Sequence, residues 1–93
     1  MTKYAHPKQT RSIAKIAQDI INDWAGVAPN YSADRIYFGA RPYLSAMIYL
    51  DSISDHYYAD SARSIVAYFL TNAGTWKGET ARRIKKELKD MLK

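Results

Sequence analysis

Hydrophobic residues recur along the chain at steps of three and four, which is the spacing of an amphipathic α-helix. The first such run predicts a helix over residues 8–25, which Pro7 helps to begin and Gly26 ends. Residues 1–7 are expected to form a flexible N-terminal segment before it. At about 100° per residue, its apolar side chains share one face, formed by Ile13, Ile16, Ala17, Ile20, Ile21 and Trp24.

Three later runs have the same period and predict further helices over residues 42–53, 56–73 and 76–92. Asp55 or Asp60 is a candidate N-cap for the third helix, and Thr75 for the fourth. No two extended runs face each other across a turn, so no β-hairpin is expected. The predicted core contains Ile16, Ile20, Trp24, Leu44, Met47, Ile48, Ile65, Val66, Phe69, Ile84 and Leu88. The sequence therefore predicts an all-α fold, a compact bundle of about four helices in a single domain over residues 1–93.

The connection between the first two predicted helices, residues 26–41, is long for a helical bundle, where about 2–8 residues are usual. One short helical turn is expected in it over residues 34–38. The segment 31–43 is rich in aromatic and arginine side chains, namely Tyr31, Arg35, Tyr37, Phe38, Arg41 and Tyr43. Such residues anchor protein interfaces and stack on unpaired bases. A third interpretation is that the aromatic rings only close the open end of the bundle.

Charge is unevenly distributed along the 93 residues, whose formal net charge is +5. Residues 1–20 have four basic side chains against one acidic, residues 21–76 have three against five, and residues 77–93 have seven against three. Two basic ends around an acidic middle favour a polyanionic partner such as nucleic acid. The candidate phosphate-binding side chains lie on the first and fourth predicted helices: Lys8, Arg11, Lys15, Arg82, Lys85, Lys86 and Lys89. The alternative is an ordinary charged helix surface with pairs four residues apart.

The start of the first predicted helix is a second candidate anion site. Lys8 and Arg11 lie in its first two turns, where positive charge opposes the helix dipole. A helix start with basic side chains and unpaired N–H groups attracts anions. The alternative is a flexible basic segment that salt screens.

Catalysis and metal binding find little support in the sequence. There are no cysteines, and the two histidines lie at positions 6 and 56 with no cluster around either. Asp55, His56 and Ser61 are the residue types of a catalytic triad, but their closeness in sequence is not triad geometry. No glycine-rich phosphate loop and no apolar run of about 18 residues is present. We therefore expect no enzyme, no catalytic residue, no metal site, no cofactor and no membrane partner.

A DNA-binding helix-turn-helix does not fit the two predicted helices that meet near Gly74. The small, tightly packed position four residues earlier is Leu70, which is too large. The later apolar positions of the motif fall on Thr80 and Arg83. A recognition helix in the major groove is therefore not predicted.

Residues 30–93 resemble the uncharacterised small proteins of bacterial plasmids, integrative elements and prophages. The resemblance is carried by Asp60-Ser61-Ala62, by Tyr68-Phe69-Leu70 and by the run from Trp76 to Arg82. It implies a bacterial, cytoplasmic accessory protein. Such proteins handle DNA transfer, regulate the genes of the element or block host defences, as anti-CRISPR inhibitors do.

Together these observations favour a non-catalytic accessory protein of a mobile element that binds nucleic acid or a nucleoprotein through its basic first and fourth helices. The alternative is a protein-interaction module that inhibits a host defence complex, in the manner of an anti-CRISPR, through the Tyr- and Arg-rich loop 31–43. The two hypotheses imply different partners, nucleic acid in the first and a host protein in the second. The oligomeric state is left open by the sequence.

Overall fold

The computed structural model describes residues 9–93, in which four α-helices pack around one hydrophobic core. The α-helices are α1 (Ile13–Trp24), α2 (Arg41–Met47), α3 (Ala62–Thr71) and α4 (Glu79–Leu92). Two short 3-10 helices, Ala33–Arg35 and Phe38–Ala40, lie between α1 and α2, and a hairpin of β1 (His56–Tyr57) and β2 (Asp60–Ser61) lies between α2 and α3. The chain is mostly helical, as predicted, but it is not purely all-α. Within residues 9–93 no helix has the length and apolar character needed to cross a membrane.

The helix α1 begins at Ile13, later than predicted. Ser12 is its N-cap, and the Ser12 hydroxyl accepts a hydrogen bond from the backbone N–H of Lys15 at 3.1 Å. A serine in this position satisfies an N–H group that the first helical turn leaves without a partner. The prediction that residues 9–12 are helical is therefore wrong, while Pro7 and Lys8 lie outside the described residues. The predicted stop at Gly26 is confirmed, since this residue follows the last turn with a φ of 91°.

The segment before α1 is attached to the connection between α2 and β1. The Gln9 side-chain amide donates to the carbonyl oxygen of Asp51 at 2.6 Å, and its oxygen accepts from the backbone N–H of Ile53 at 2.9 Å. The backbone N–H groups of Ile13 and Ala14 also donate to this connection, at 3.0 and 2.8 Å. Tertiary contacts therefore fix where α1 begins.

The helix α2 is shorter than the predicted 42–53. It begins at Arg41 with proline in its first turn and ends at Met47. Leu50 and Ile53 are buried from the irregular segment that follows. Ile48, which the helical pattern assigns to the core, is 40% exposed because the chain has left the helix at this residue.

The hairpin occupies the start of the predicted 56–73 helix and corrects the expectation that no strands pair. His56 pairs with Ser61, and Tyr57 pairs with Asp60, in antiparallel register. Tyr58 makes the turn with a φ of 56°, a conformation that bulky side chains rarely adopt. Asn-Gly and Asp-Gly are the usual signals of a two-residue hairpin turn. The absence of these residues explains why the hairpin was not predicted.

The N-caps of α3 and α4 also differ from the predicted ones. The Ser61 hydroxyl accepts from the backbone N–H of Ser64 at 3.1 Å, in place of Asp55 or Asp60 as cap of α3. Gly78 precedes α4 with a φ of 110°, so α4 begins at Glu79 and not at 76, and Thr75 does not cap it. Residues 72–78 therefore form the turn between α3 and α4.

Three aromatic rings form the centre of the core. Trp76 stacks on Trp24 of α1 with ring centroids 5.7 Å apart, and the edge of Phe69 from α3 meets Trp76 at 6.4 Å. The Trp76 indole N–H donates to a carboxylate oxygen of Asp23 at 2.9 Å. Trp76 therefore joins the α3–α4 turn to both α1 and α3. Apart from Ile48, every residue of the predicted core is buried.

Candidate functional site

A basic groove runs along α4. Four of the predicted phosphate-binding residues line it together with one further lysine and one aspartate, and its volume is about 470 Å³: Arg82, Lys85, Lys86, Lys89, Asp90 and Lys93. The helical period produces this row, because residues three and four apart lie on neighbouring turns. The apolar side of the same helix, which includes Ile84 and Leu88, is buried in the core. We call this surface the α4 groove.

Of the described residues, Asp90 is the only acidic one that lines the α4 groove. Its carboxylate accepts from the Lys86 amine at 3.0 Å and lies 3.5 Å from the Lys93 amine. The hydrogen bond from Lys86 is the main cause that holds the pKa of Asp90 below its ordinary value. One carboxylate shared by two lysines leaves the groove strongly positive, with five cations in total.

Lys85 marks the edge of the α4 groove where it meets the core. Its amine donates to the carbonyl oxygen of Trp76 at 2.7 Å and lies 5.8 Å from the centroid of the Trp76 ring. Burial lowers the pKa of Lys85, and the charges of Lys77 and Lys89 lower it further. Repulsion among these three lysines indicates a locally positive potential that an anion would relieve.

Arg11 does not belong to this surface. Its guanidinium donates to both carboxylate oxygens of Glu87 on α4, at 2.9 and 3.0 Å, and it pairs with Asp19 on α1. The hydrogen bond to Glu87 is the main cause that raises the pKa of Arg11. The side chain is about three-quarters buried. Arg11 therefore clamps the segment before α1 to both α1 and α4. We call it the Arg11 clamp.

Among the described residues, the predicted basic residues of the first helix and of α4 do not form one continuous surface. Lys15 is exposed, and its amine lies 3.4 Å from Asp19. Glu87 and Lys89 are two positions apart, which places them about 200° apart around α4. Asp19 and Glu87 thus stand between Lys15 and the α4 groove. Lys8 lies outside the described residues.

The structure also corrects the predicted anion site at the start of α1. The first N–H groups of this helix already have acceptors, namely the carbonyl oxygens of Asp51 and Leu50 and the Ser12 hydroxyl. Arg11 is paired with two carboxylates in the same region. Within the described part of the chain, the first turn of α1 therefore has no unpaired N–H group to receive an anion.

The two arginines of the loop 31–43 stabilise the loop itself. Arg35 donates to the carbonyl oxygens of Ala25 and Asn30 at 3.1 and 2.9 Å. Arg41 donates to the carbonyl oxygen of Ile36 at 3.0 Å. These hydrogen bonds satisfy backbone groups of a segment that has only short helical turns.

Three of the four aromatic residues of the loop are exposed, while Tyr43 is partly buried against the core. Tyr37 is 44% and Phe38 71% exposed, with ring centroids 4.9 Å apart, and Tyr31 is exposed beside them in sequence. Ile36 and Ala40 are the loop residues that are buried among the core side chains. The aromatic rings at 31, 37 and 38 therefore do not close the bundle, and they remain available for contact with a partner.

A second groove, which the sequence did not predict, lies where α2, the hairpin and α3 meet. Its volume is about 310 Å³, and its lining includes Pro42, Tyr43, Tyr57, Asp60, Ile65 and Tyr68. The Tyr43 and Tyr68 rings are stacked with centroids 5.7 Å apart, and the Tyr49 and Tyr57 rings are stacked at 5.9 Å. We call this surface the tyrosine groove.

Two of these tyrosines are mostly exposed, Tyr68 by 57% and Tyr49 by 71%. The eight tyrosines of the sequence are the only signal of this surface. Its residues come from three separate elements, so their closeness follows from the tertiary structure alone.

Comparison of the chain with protein-family models, with curated proteins and with solved structures finds no match. The resemblance of residues 30–93 to proteins of mobile elements therefore stays a prediction. The functional candidates rest on the geometry of the α4 groove, the exposed loop and the tyrosine groove.

Proposed function

We propose that this protein binds nucleic acid through the α4 groove and does not catalyse a reaction. The observation that carries the proposal is the row of five cations along one open groove with a single carboxylate. The resemblance to proteins of bacterial mobile elements supports a role as an accessory protein that acts on nucleic acid or on a nucleoprotein in the cytoplasm.

The geometry of α4 suits a phosphate backbone. Arg82 and Lys93 mark the ends of the row, which at 1.5 Å per residue is about 16 Å long. Each strand of a DNA duplex has one phosphate per about 3.4 Å of helix axis, so the row passes several phosphates. Lysines bind phosphates as point charges, and contacts to phosphate contain no sequence information. We therefore propose binding with little sequence preference.

Salt dependence is the first test. Fluorescence anisotropy with labelled single-stranded DNA, duplex DNA and RNA measures the affinity at several salt concentrations between about 50 and 200 mM. Four to five phosphate contacts on a duplex predict a slope of about −4 for log K against log salt. The proposal fails if micromolar protein binds none of the three nucleic acids at low salt.

The variant Lys89→Glu tests the site itself. We expect it to weaken binding to every nucleic acid that the wild type binds and to reduce the salt slope by about one, because Lys89 lines the groove without an ion pair among the described residues. Lys15→Glu is the matched control, since it makes the same charge change on an exposed residue outside the groove. Equal losses in the two variants would show that net charge alone, and not the groove, drives binding.

A second candidate function is supported by the exposed ring pair of Tyr37 and Phe38. We propose, as the alternative, a protein-interaction module in which the loop 31–43 contacts a host defence complex and inhibits it. Aromatic side chains at the centre of an interface contribute much of its binding energy. The loop arginines support this role indirectly, because Arg35 and Arg41 hold the backbone that presents the rings.

Affinity capture from nuclease-treated bacterial lysate separates the two functions. If the loop contacts a protein, wild-type chain retains a defined partner after nuclease, and the double variant Tyr37→Ala with Phe38→Ala loses it. The Lys89→Glu variant retains the same partner. Loss of every partner on nuclease treatment, or equal retention by the loop variant, would remove the loop hypothesis.

A further inference from the structure

We propose that the tyrosine groove binds an extended, proline-rich segment of a partner protein that also has a basic side chain. The surface is separate from the α4 groove, since none of its lining residues belongs to α4. It also extends beyond the loop 31–43, of which only Pro42 and Tyr43 line it among the described residues. The inference adds a protein ligand to the proposed binding of nucleic acid.

The shape of the groove fits a polyproline II helix. Three tyrosines line it: the Tyr43 and Tyr68 rings are nearly parallel, with an interplanar angle of 24°, and the Tyr57 ring is backed by Tyr49 at an angle of 21°. Pro42 and Ile65 add apolar surface to the lining. Grooves lined by aromatic rings bind proline-rich segments, because the preformed polyproline II helix loses little entropy and its rings pack between the aromatic faces.

The hydroxyl groups of the groove complement such a ligand. Among residues 9–93, the hydroxyls of Tyr43, Tyr57 and Tyr68 make no hydrogen bond with each other or with the rest of the described chain. A polyproline II helix has no internal hydrogen bonds, so its carbonyl oxygens are free to accept. Tyrosine hydroxyls at the rim can donate to these carbonyls while the rings contact proline.

Charge distinguishes a peptide from nucleic acid in this groove. Among the residues that the structure describes, Asp60 is the one charged residue that lines it, and neither lysine nor arginine does. The surrounding segment 21–76 has more acidic than basic side chains. A phosphate backbone would approach this carboxylate without a cation to neutralise it, whereas a lysine or arginine of a peptide would be attracted. The groove therefore favours a basic, proline-rich peptide over single-stranded nucleic acid.

The test uses labelled peptides and the full chain. Two probes contain a Pro-x-x-Pro core, one with arginine before it and one with arginine after it. The pair covers both chain directions in which a peptide can lie in the groove. The matched controls replace the prolines by alanine or the arginine by glutamate. We expect saturable binding of one arginine probe and at least about tenfold weaker binding of both controls derived from it. If neither arginine probe binds, or if a labelled oligothymidylate binds at this groove instead, the proposal is wrong.

Variants of exposed residues locate the binding. Tyr68→Ala is expected to lower the affinity for the probe at least tenfold, because it removes an aromatic anchor. Tyr68→Phe keeps the ring. It is expected to lower the affinity for the probe by about fivefold, because the hydroxyl hydrogen bond is lost. Asp60→Asn is expected to remove the preference for arginine over glutamate in the probe.

Tyr37→Ala is the control, because it removes an exposed tyrosine that does not line the groove. It is expected to bind the probe as the wild type does. A loss in Tyr37→Ala equal to that in Tyr68→Ala would overturn the assignment to this groove. The Lys89→Glu variant should also bind the probe normally, so failure of nucleic-acid binding and failure of peptide binding are distinguishable.

Discussion

Replacing Phe69 by alanine is expected to lower the free energy of unfolding by about 3–5 kcal/mol. Phe69 is fully buried, and its ring meets the edges of Trp24 and Trp76 with centroids 6.3 and 6.4 Å away. Removal of the ring loses its transfer free energy and leaves a cavity between α1, α3 and the α3–α4 turn. Natural domains are stable by about 5–15 kcal/mol, so this single change removes a large share of the total.

Urea unfolding followed by tryptophan fluorescence measures this effect, because both tryptophans of the chain lie next to Phe69. Phe38→Ala is the matched control. It makes the same chemical change at a ring that is 71% exposed, and we expect it to alter stability by less than about 0.5 kcal/mol. Similar losses in the two variants would contradict the described core.

Replacing Arg11 by alanine is expected to destabilise the protein by about 2 kcal/mol, the order of a hydrogen bond to a charged group that is partly buried. The change removes three contacts to carboxylates and leaves Asp19 and Glu87 without their shared cation. Lys15→Ala is the control, since Lys15 contacts Asp19 from an exposed position. An exposed ion pair of this kind contributes less than about 1 kcal/mol.

The ion pair between Arg11 and Asp19 predicts that the stability of the protein depends on pH in the acid range. The hydrogen bond from Arg11 is the main cause that holds the pKa of Asp19 below its ordinary value of 3.8. A carboxyl whose pKa is lower in the folded state stabilises the protein above its unfolded pKa, and this contribution is lost as pH falls through the folded pKa. Chemical unfolding at several pH values therefore shows a steeper loss below about pH 4 in wild type than in Arg11→Ala. If stability falls with pH equally in wild type and in Arg11→Ala, the proposed role of the Arg11–Asp19 pair is wrong.

The helical period was sufficient to predict α1 and α4, because each buries one continuous apolar face against the core. It was not sufficient for the 42–73 region. There the chain leaves α2 at Met47, and Leu50 and Ile53 are buried without a helix. The hairpin depends on a left-handed Tyr58, which tertiary contacts must stabilise against its local preference.

The same distinction applies to the candidate sites. The cations of α4 come from one helix, so spacing alone placed Lys85 and Lys89 on one surface. Arg11 has the same charge, but its partner Glu87 is 76 positions away and no local pattern shows the pairing. The tyrosine groove was missed for the same reason, since Tyr43 and Tyr68 meet only after α2 packs on α3.

The separation of 76 positions between Arg11 and Glu87 also has a consequence for folding kinetics. Closing so long a loop loses more chain entropy than forming the hairpin or packing α2 on α3. We therefore expect this partly exposed contact to form after the transition state. Removal of Arg11 is therefore expected to accelerate unfolding and to leave the refolding rate almost unchanged. The clamp acts mainly on the lifetime of the native state.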